Sequence, residues 1–484
     1  MADIDPTDLF SDYTATGYYC ELTGSKAQPA DHNDLLVDRL RRMSSEELVR
    51  RSRIAERELF NLGITFTVYS ERESIDRILP FDVVPRVISA ADWKILESGS
   101  IQRVAALNLF LKDIYNDQKI LKDGVIPRDL VVGNKNFREQ MMGVKVPHDT
   151  YVHVCGIDVV RDADGNFLVL EDNARCPSGV SYVVENRHMM QRTFPDLMSD
   201  IGIRPVSSYG QMLLEACSEI APEGVDDPTV VLLSPGTFNS AYFEHIFLAR
   251  EMGVPLVEGR DLIVENDRVF MKTISGLRPV HTIYRRIDDD YLDPEVFRPD
   301  SMLGVPGLMR AYRAGNLGLA NAVGTGVADD KAVYAYMPRI IRYYLDEEPI
   351  LSNVETYICR EPEGLKYTLD NMADLVVKPV GESGGYGVVI GPKSSEAELA
   401  ESRAKVIENP ENFISQPMIK LSVCPTLIEG ILEPRHVDLR PFAVTGKKTW
   451  VLPGGLTRVA IRRGSLVVNS SQGGGSKDTW VMES

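Results

Sequence analysis

With 484 residues, 44 % of them apolar, the chain is too long for one hydrophobic core and is expected to form two or three domains. A net charge of −17 argues against a nucleic-acid-binding surface, and no apolar run approaches the length of a membrane span. The N-terminus MADIDPTDLF lacks the basic-then-apolar pattern of a secretory signal. Cys20, Cys155, Cys176, Cys217, Cys359 and Cys424 are scattered with no CxxC pair, which predicts free thiols in a reducing, cytoplasmic setting.

Residues 1 to about 30 read as an irregular polar arm. From Asp34 to Leu62 the period is helical, with a start signal at Ser44-Ser45-Glu46-Glu47. Ile64–Tyr69 is strand-like, and a further helix is expected over Ala90–Tyr115. On that helix Gln102, Arg103 and Asn108 could touch a substrate, but a solvated face is the expected role.

The next stretch, YVHVCGIDVVRDADGNFLVLEDNARCPSGVSY from Tyr151 to Tyr182, reads as a hairpin turning at Asp162–Gly165. Alternation puts Phe167, Val169, Glu171 and Asn173 on one face of the second strand. A turn loop of even length brings Asp158 to that face, opposite Val169 or Glu171, and an odd loop sends it away. The even register gives two carboxylates and an amide oxygen on adjacent strands, hard ligands suited to Mg²⁺. A surface hairpin with ordinary charges is the competing reading.

Pro205 precedes a helix near Gly210–Ile220. Thr229–Leu233, a helix through Phe243–Met252 and Val254–Val257 predict a parallel α/β unit, with SPGTFNS lacking the GxGxxG spacing. Leu262–Met271 reads as a hairpin. Arg285 could hold an anionic substrate or pair with the aspartates that follow it. Met302–Gly326 is glycine-rich and loop-like. Asp329-Asp330-Lys331 opens a helix expected to run through Tyr343. Leu375–Pro379 is a strand carrying Lys378. The glycine loop Gly381-Glu382-Ser383-Gly384-Gly385-Tyr386-Gly387 follows, then another strand, which describes a flap rather than a P-loop. A helix over Ser395–Glu408 and a strand over Phe413–Ile419 come next. Leu439–Val444 and Lys448–Leu452 are expected to pair around Gly446, ahead of a tail with Arg458, Asn469 and Gly473–Gly475.

A glycine loop with free backbone N–H groups can wrap phosphates, and Lys331 and Lys378 can neutralise their charge. Arg440 and Arg458 could stabilise a transferring phosphoryl group, a reaction that needs positioning and charge neutralisation more than covalent help from the protein.

The ordered set of Asp330-Lys331, Val377-Lys378-Pro379, Gly381–Gly387, Gln416-Pro417-Met418-Ile419, Asp438-Leu439-Arg440, Arg458, Asn469 and Gly473–Gly475 resembles the ATP-grasp superfamily. The D…ExN element, Asp158, Glu171 and Asn173, comes before the nucleotide flap instead of after it. That order resembles the circularly permuted ATP-grasp proteins, relatives of glutathionylspermidine synthase. The resemblance covers roughly residue 60 to the end and implies an α/β (α+β) chain in four parts. These are an N-terminal arm and mainly helical region (1–150), a metal-ligand hairpin of the ATP-grasp domain (151–205), a Rossmann-like pre-ATP-grasp unit (206–320) and the nucleotide-binding part (321–484).

It implies an ADP-forming carboxylate–amine ligase using ATP and Mg²⁺. Asp158, Glu171 and Asn173 would hold the metal. Lys331, Lys378 and the flap would bind the phosphates, Gln416, Pro417 and Met418 would line the adenine pocket, and Arg440 and Arg458 would stabilise the transition state. Arg175, Arg285 and Asn469 are further candidates for substrate or phosphate. The partners implied are a small-molecule or peptide carboxylate and an amine, with no nucleic acid and no membrane. A phosphotransferase on the same scaffold and a non-catalytic nucleotide-binding scaffold are the alternatives.

Overall fold

The computed structural model describes residues 8–24, 34–69, 74–78, 80–380, 387–462, 468 and 474–483. The helices Asp34–Arg41 and Ser45–Asn61 lead into β1 (Thr65–Tyr69), β2 (Ser74–Ile78), β3 (Phe81–Ile88) and the long helix Ala90–Ile114. The hairpin β4 (Val154–Arg161) and β5 (Phe167–Asn173) is followed by the helices Val180–Thr193 and Tyr209–Glu219. Then come β6 (Val230–Leu233), helix Tyr242–Met252, β7 (Leu256–Val257), β8 (Leu262–Glu265), β9 (Arg268–Thr273), β10 (Gly276–Val280), β11 (Thr282–Arg285) and β12 (Gly318–Ala320). Helices Lys331–Ala335 and Met337–Leu345 precede β13 (Ser352–Asn353), β14 (Tyr357–Ile358), β15 (Leu375–Pro379), β16 (Val389–Ile390), helix Glu396–Glu408 and β17 (Phe413–Pro417). The chain closes with β18 (Val423–Ile428), β19 (Ile431–Arg440), β20 (Phe442–Thr445), β21 (Thr449–Val451), β22 (Leu456–Val459) and β23 (Gly475–Val481).

Several expected elements stand where the sequence puts them, for physical reasons that can be named. Ser44 caps its helix by accepting from the Glu47 N–H, and Ser395 with Glu398 forms a capping box. The strands β6, β7, β11 and β12 form a parallel sheet with helix Tyr242–Met252 as one crossover, as the alternating strand–helix pattern requires. All six cysteines are unpaired.

Three expectations are corrected. The helix opened by Asp330 breaks at Tyr336 and restarts with Pro338 in its first turn, where a missing N–H costs nothing. The stretch Met302–Gly326 contains helix Leu308–Arg313 and strand β12. Gly318 is there for close approach, since a Cβ would lie 2.5 Å from the Ile220 carbonyl oxygen. Leu439 and Arg440 end β19 and do not pair with 448–452. The chain bends at Pro441, and only β20 forms the hairpin with β21.

The largest sheet has ten strands and follows the path β13-β5-β4-β19-β22-β23-β3, with β18 on β19 and with β20 joined to β4 and β21. Two elements from early in the chain, β3 and the hairpin β4–β5, are thus built into a sheet whose other long strands come from the C-terminal segment. One face of this sheet is apolar. Cys155, Ile157, Val159, Phe167, Val169 and Leu439 join the core against helix Ala90–Ile114. The antiparallel sheet β14-β17-β15-β16 carries Lys378 and Gln416.

Candidate functional site: a charged cluster across four strands

The β4–β5 turn is closed by Asp162, whose carboxylate accepts from the N–H groups of Asp164 (2.9 Å) and Asn166 (2.8 Å). Gly165 sits at φ +89°, where a side chain would be strained and would also meet the Tyr19 ring. The turn loop, 162–166, is odd and by itself would set Asp158 opposite Leu170, away from Glu171, so the expectation of an even loop is corrected, and a bulge restores the pairing. Asp158 pairs with Glu171 and Gly156 with Asn173, but Val159 pairs with Val169, leaving Leu170 as an extra residue. This bulge overturns the expected sharing of a face. Phe167 and Val169 point into the core, whereas Glu171 and Asn173 lie on the opposite face with Asp158.

That opposite face assembles charges from four neighbouring strands. Arg440 on β19 grips Asp158 with both arms, Nε to Oδ1 at 2.5 Å and Nη2 to Oδ2 at 2.9 Å. Arg458 on β22 donates to Asp158 Oδ2 at 2.7 Å and chelates Asp438, its direct cross-strand partner. Arg440 Nη2 lies 4.0 Å from Glu171, and Lys331 Nζ approaches the other Glu171 oxygen at 3.9 Å. The Asn173 amide nitrogen is 3.5 Å from Asp158. Lys378 donates to Gln416 Oε1 at 2.5 Å, and Gln416 in turn donates to Thr356 at 2.9 Å.

The protonation pattern follows from these neighbours. Burial opposes the charge on Asp158, but Arg440 and Arg458 override it and hold the carboxyl well below the usual range. Glu171 is raised, by burial first and by the Asp158 charge second, with Lys331 opposing. Burial pushes the Lys378 ammonium down to about 8, against the attraction of Glu171. Arg440, Arg458, Lys331 and Lys378 converge here with the carboxylates of Asp158, Glu171 and Asp438, and Asp330 lies beside Lys331. Cations gathered in this way suit a polyanion.

The donor set also fits a hard cation. Among the described residues no group of three His, Cys, Asp or Glu could hold a metal. Asp158, Glu171 and Asn173 offer two carboxylates and an amide oxygen, and Mg²⁺ completes such a partial shell with water and phosphate. The Glu171 side chain is 33 % exposed, so its outer oxygens remain accessible.

Other expected site residues lie elsewhere. Arg285 is a structural group. It is fully buried, and its three nitrogens are engaged by the carbonyls of Asn321, Ile287 and Ala322 and by Asp289, so it is not presented to an anion. Arg175 turns away from the cluster to Asp329 (3.1 Å) and Asp288 (3.2 Å). Pro417 ends β17 and Met418 follows it, exposed. Gly381, Glu382, Ser383, Gly384, Gly385, Tyr386 and Asn469 lie outside the described residues, while Gly387 packs against Pro379. The helix face of Gln102, Arg103 and Asn108 is not solvated. Gln102 binds Glu347, Arg103 chelates Asp172, and Asn108 binds the backbone at 151–152. Asp438 was not singled out from sequence, although the DLR spacing places it on the same strand face as Arg440.

Two sizeable cavities are remote from the cluster: one of about 710 Å³ beside Glu185 and Arg250, and one of about 860 Å³ beside the N-terminal arm and His436. A third, of about 500 Å³, borders the cluster and is lined by Asn134, Asp330, Arg360 and Pro379. The charge geometry, not cavity size, marks the site.

A family model described as circularly permuted ATP-grasp type 2 matches residues 85–460. The chain is 52 % identical to an uncharacterised protein of Synechocystis, over 97 % of this chain and 98 % of that one. It is 54 % identical to an uncharacterised protein of Mycobacterium tuberculosis, over 90 % of this chain and 79 % of that one. It is 43 % identical to a Frankia casuarinae protein provisionally named a glutamate–cysteine ligase, over 98 % of this chain but 54 % of that one. Among solved structures it is similar to a glutathione synthetase-like effector of Globodera pallida in its apo form. The TM-score is 0.57 at 10 % identity, covering 91 % of this chain and 98 % of that one, a likeness of fold.

Proposed function

The chain belongs to the circularly permuted ATP-grasp type 2 family, and on that premise we propose that it is an ATP- and Mg²⁺-dependent carboxylate–amine ligase that releases ADP and phosphate. The observation that carries the reading is the Asp158–Glu171 pair set in register beneath Arg440, Arg458 and Lys331. Mg²⁺ bound by Asp158, Glu171 and Asn173 would draw charge from the phosphate oxygens and fix their orientation. Lys331 and Lys378 hold the phosphates of ATP. Arg440 and Arg458 face the charge that develops as a substrate carboxylate oxygen bonds to the γ-phosphorus and the bond to ADP breaks. The amine nitrogen then bonds to the acyl carbon, the carbon–oxygen bond to phosphate breaks, and the nitrogen loses a proton. No side chain of the cluster has to form a covalent bond.

The test combines protein, Mg²⁺ and ATP with amino acids, small peptides and polyamines, adds hydroxylamine as a trap, and uses Glu171→Gln as control. The Frankia relative's name puts acidic amino acids and glutamyl peptides first in the pool. ADP together with a hydroxamate is expected. ADP without hydroxamate, and a phosphorylated product, would move the assignment to a phosphotransferase. AMP and pyrophosphate would overturn it.

A further inference from the structure

Asn321 follows β12 at the end of the parallel sheet and is 1 % exposed. Its side chain spends its hydrogen-bonding capacity on the backbone that flanks the β4–β5 hairpin. Oδ1 accepts from the N–H groups of His153 and Val154, both at 2.7 Å. Nδ2 donates to the carbonyls of Val154 (2.7 Å), Ala174 (2.8 Å) and Arg175 (3.2 Å). One amide thus joins the start of β4 to the end of β5. Asp158 lies four residues after the first clamped segment, and Asn173 immediately precedes the second.

A second group completes the grip. Asp329 accepts from the N–H groups of Ala174 (2.5 Å) and Arg175 (3.0 Å), whose carbonyls Asn321 holds. Asp329 is two residues before Lys331, which faces Glu171. The peptide after the ligand strand is therefore held on its carbonyl side by Asn321 and on its N–H side by the segment that places Lys331. Asn321 is itself seated, because its carbonyl accepts from Arg285 Nε at 2.7 Å. This gives Arg285 a use within the site's support.

We propose that Asn321 is a positioning residue that sets the separation of Asp158 from Glu171 and Asn173, and so tunes affinity for the divalent cation without touching it. The inference rests on the metal reading above. It does not follow from burial alone, because a matched comparison exists in the same molecule. Asn108 makes the same kind of contact two residues upstream, accepting from Tyr151 and Val152 N–H at 2.8 Å, but reaches only the start of the hairpin.

The experiment titrates Mn²⁺, observed by electron paramagnetic resonance, into full-length protein with a non-hydrolysable ATP analogue. It compares wild type, Asn321→Ala and Asn108→Ala, with the thermal midpoint of each recorded without ligand. Asn321→Ala is expected to raise the half-saturating Mn²⁺ concentration about ten- to hundredfold, the range seen when outer-shell supports of metal ligands are removed. Asn108→Ala is expected to lower the thermal midpoint without moving Mn²⁺ affinity by more than about twofold. If Asn321→Ala does not fold, Asn321→Ser, which keeps an oxygen to accept one N–H, carries the test in the same direction. Wild type that fails to bind Mn²⁺ overturns the metal reading itself. Wild type that binds, with the Asn321 variant binding equally well or the two variants shifting alike, overturns the positioning role alone.

Discussion

The two faces of β5 carry the same chemistry, carboxylate against guanidinium, to different ends. On the core face Asp172 and Arg103 meet as a matched bidentate pair at 2.5 and 2.9 Å, with side chains 0 % and 1 % exposed. On the other face Asp158 is shared by two arginines, Glu171 is held by none of them closely, and the Glu171 side chain is part-exposed. A closed, balanced pair fixes where the strand lies against helix Ala90–Ile114. An open group of shared, loosely held charges leaves room for a ligand to join it. Composition does not distinguish the faces, but stoichiometry and exposure do.

The comparison can be broken most forcefully on the closed side. Arg103→Ala leaves Asp172 buried without a partner and is expected to cost about 3–5 kcal/mol of stability in denaturant unfolding. Replacing both members, Arg103→Met with Asp172→Leu, should recover most of that loss, since a buried pair seldom outperforms well-packed apolar groups. If the double variant is as unstable as the single, Arg103 has a role beyond pairing.

On the open side the expected loss is in rate. Arg440→Ala should lower turnover about 10²–10³-fold, the effect of losing one donor to developing charge. Glu171→Gln, nearly isosteric, should abolish metal-dependent turnover while the protein still folds cooperatively, which a thermal unfolding curve checks. Full activity in that variant would falsify the metal assignment.

The smallest effect concerns pH. Lys378 in the free protein loses its proton at about 8, and bound phosphates favour the charged form. Binding of ATP therefore takes up a proton above that pH. Affinity should be level below pH 8 and fall by up to about tenfold per unit above it, until the pKa of the complex is reached. Lys378→Arg, which stays charged, should flatten the profile in a calorimetric titration.

Much of this contrast could be read from sequence, and the part that could not has a definite cause. The hairpin turn was legible because Asp162 and Gly165 satisfy strict local geometry. The bulge at Leu170 was not, since it settles a conflict between faces. Val169 must reach the core, Asp172 must reach Arg103, and Glu171 must still oppose Asp158. Strict alternation cannot meet all three. Asp329 was missed because an acidic residue before a helix reads as part of the helix start, and Asn321 because it belongs to a glycine-rich stretch whose composition imitates a loop. There glycine serves close packing, as Gly318 against Ile220 illustrates. The partners of Arg103 were hidden because a buried charged helix face and a solvated one have the same residues.

Strand order has a consequence in time. Asp158 and its partner Arg440 are separated by 282 residues, and Arg458 lies further still. At synthesis rates of about 5–20 residues per second, Asp158 is made roughly 14–56 s before Arg440. During that interval β4 and β5 have no β19 to pair with. The sheet that carries the cluster must close late, and a nascent chain stalled before residue 440 would expose the unpaired edge of β4, a feature that invites pairing with another chain.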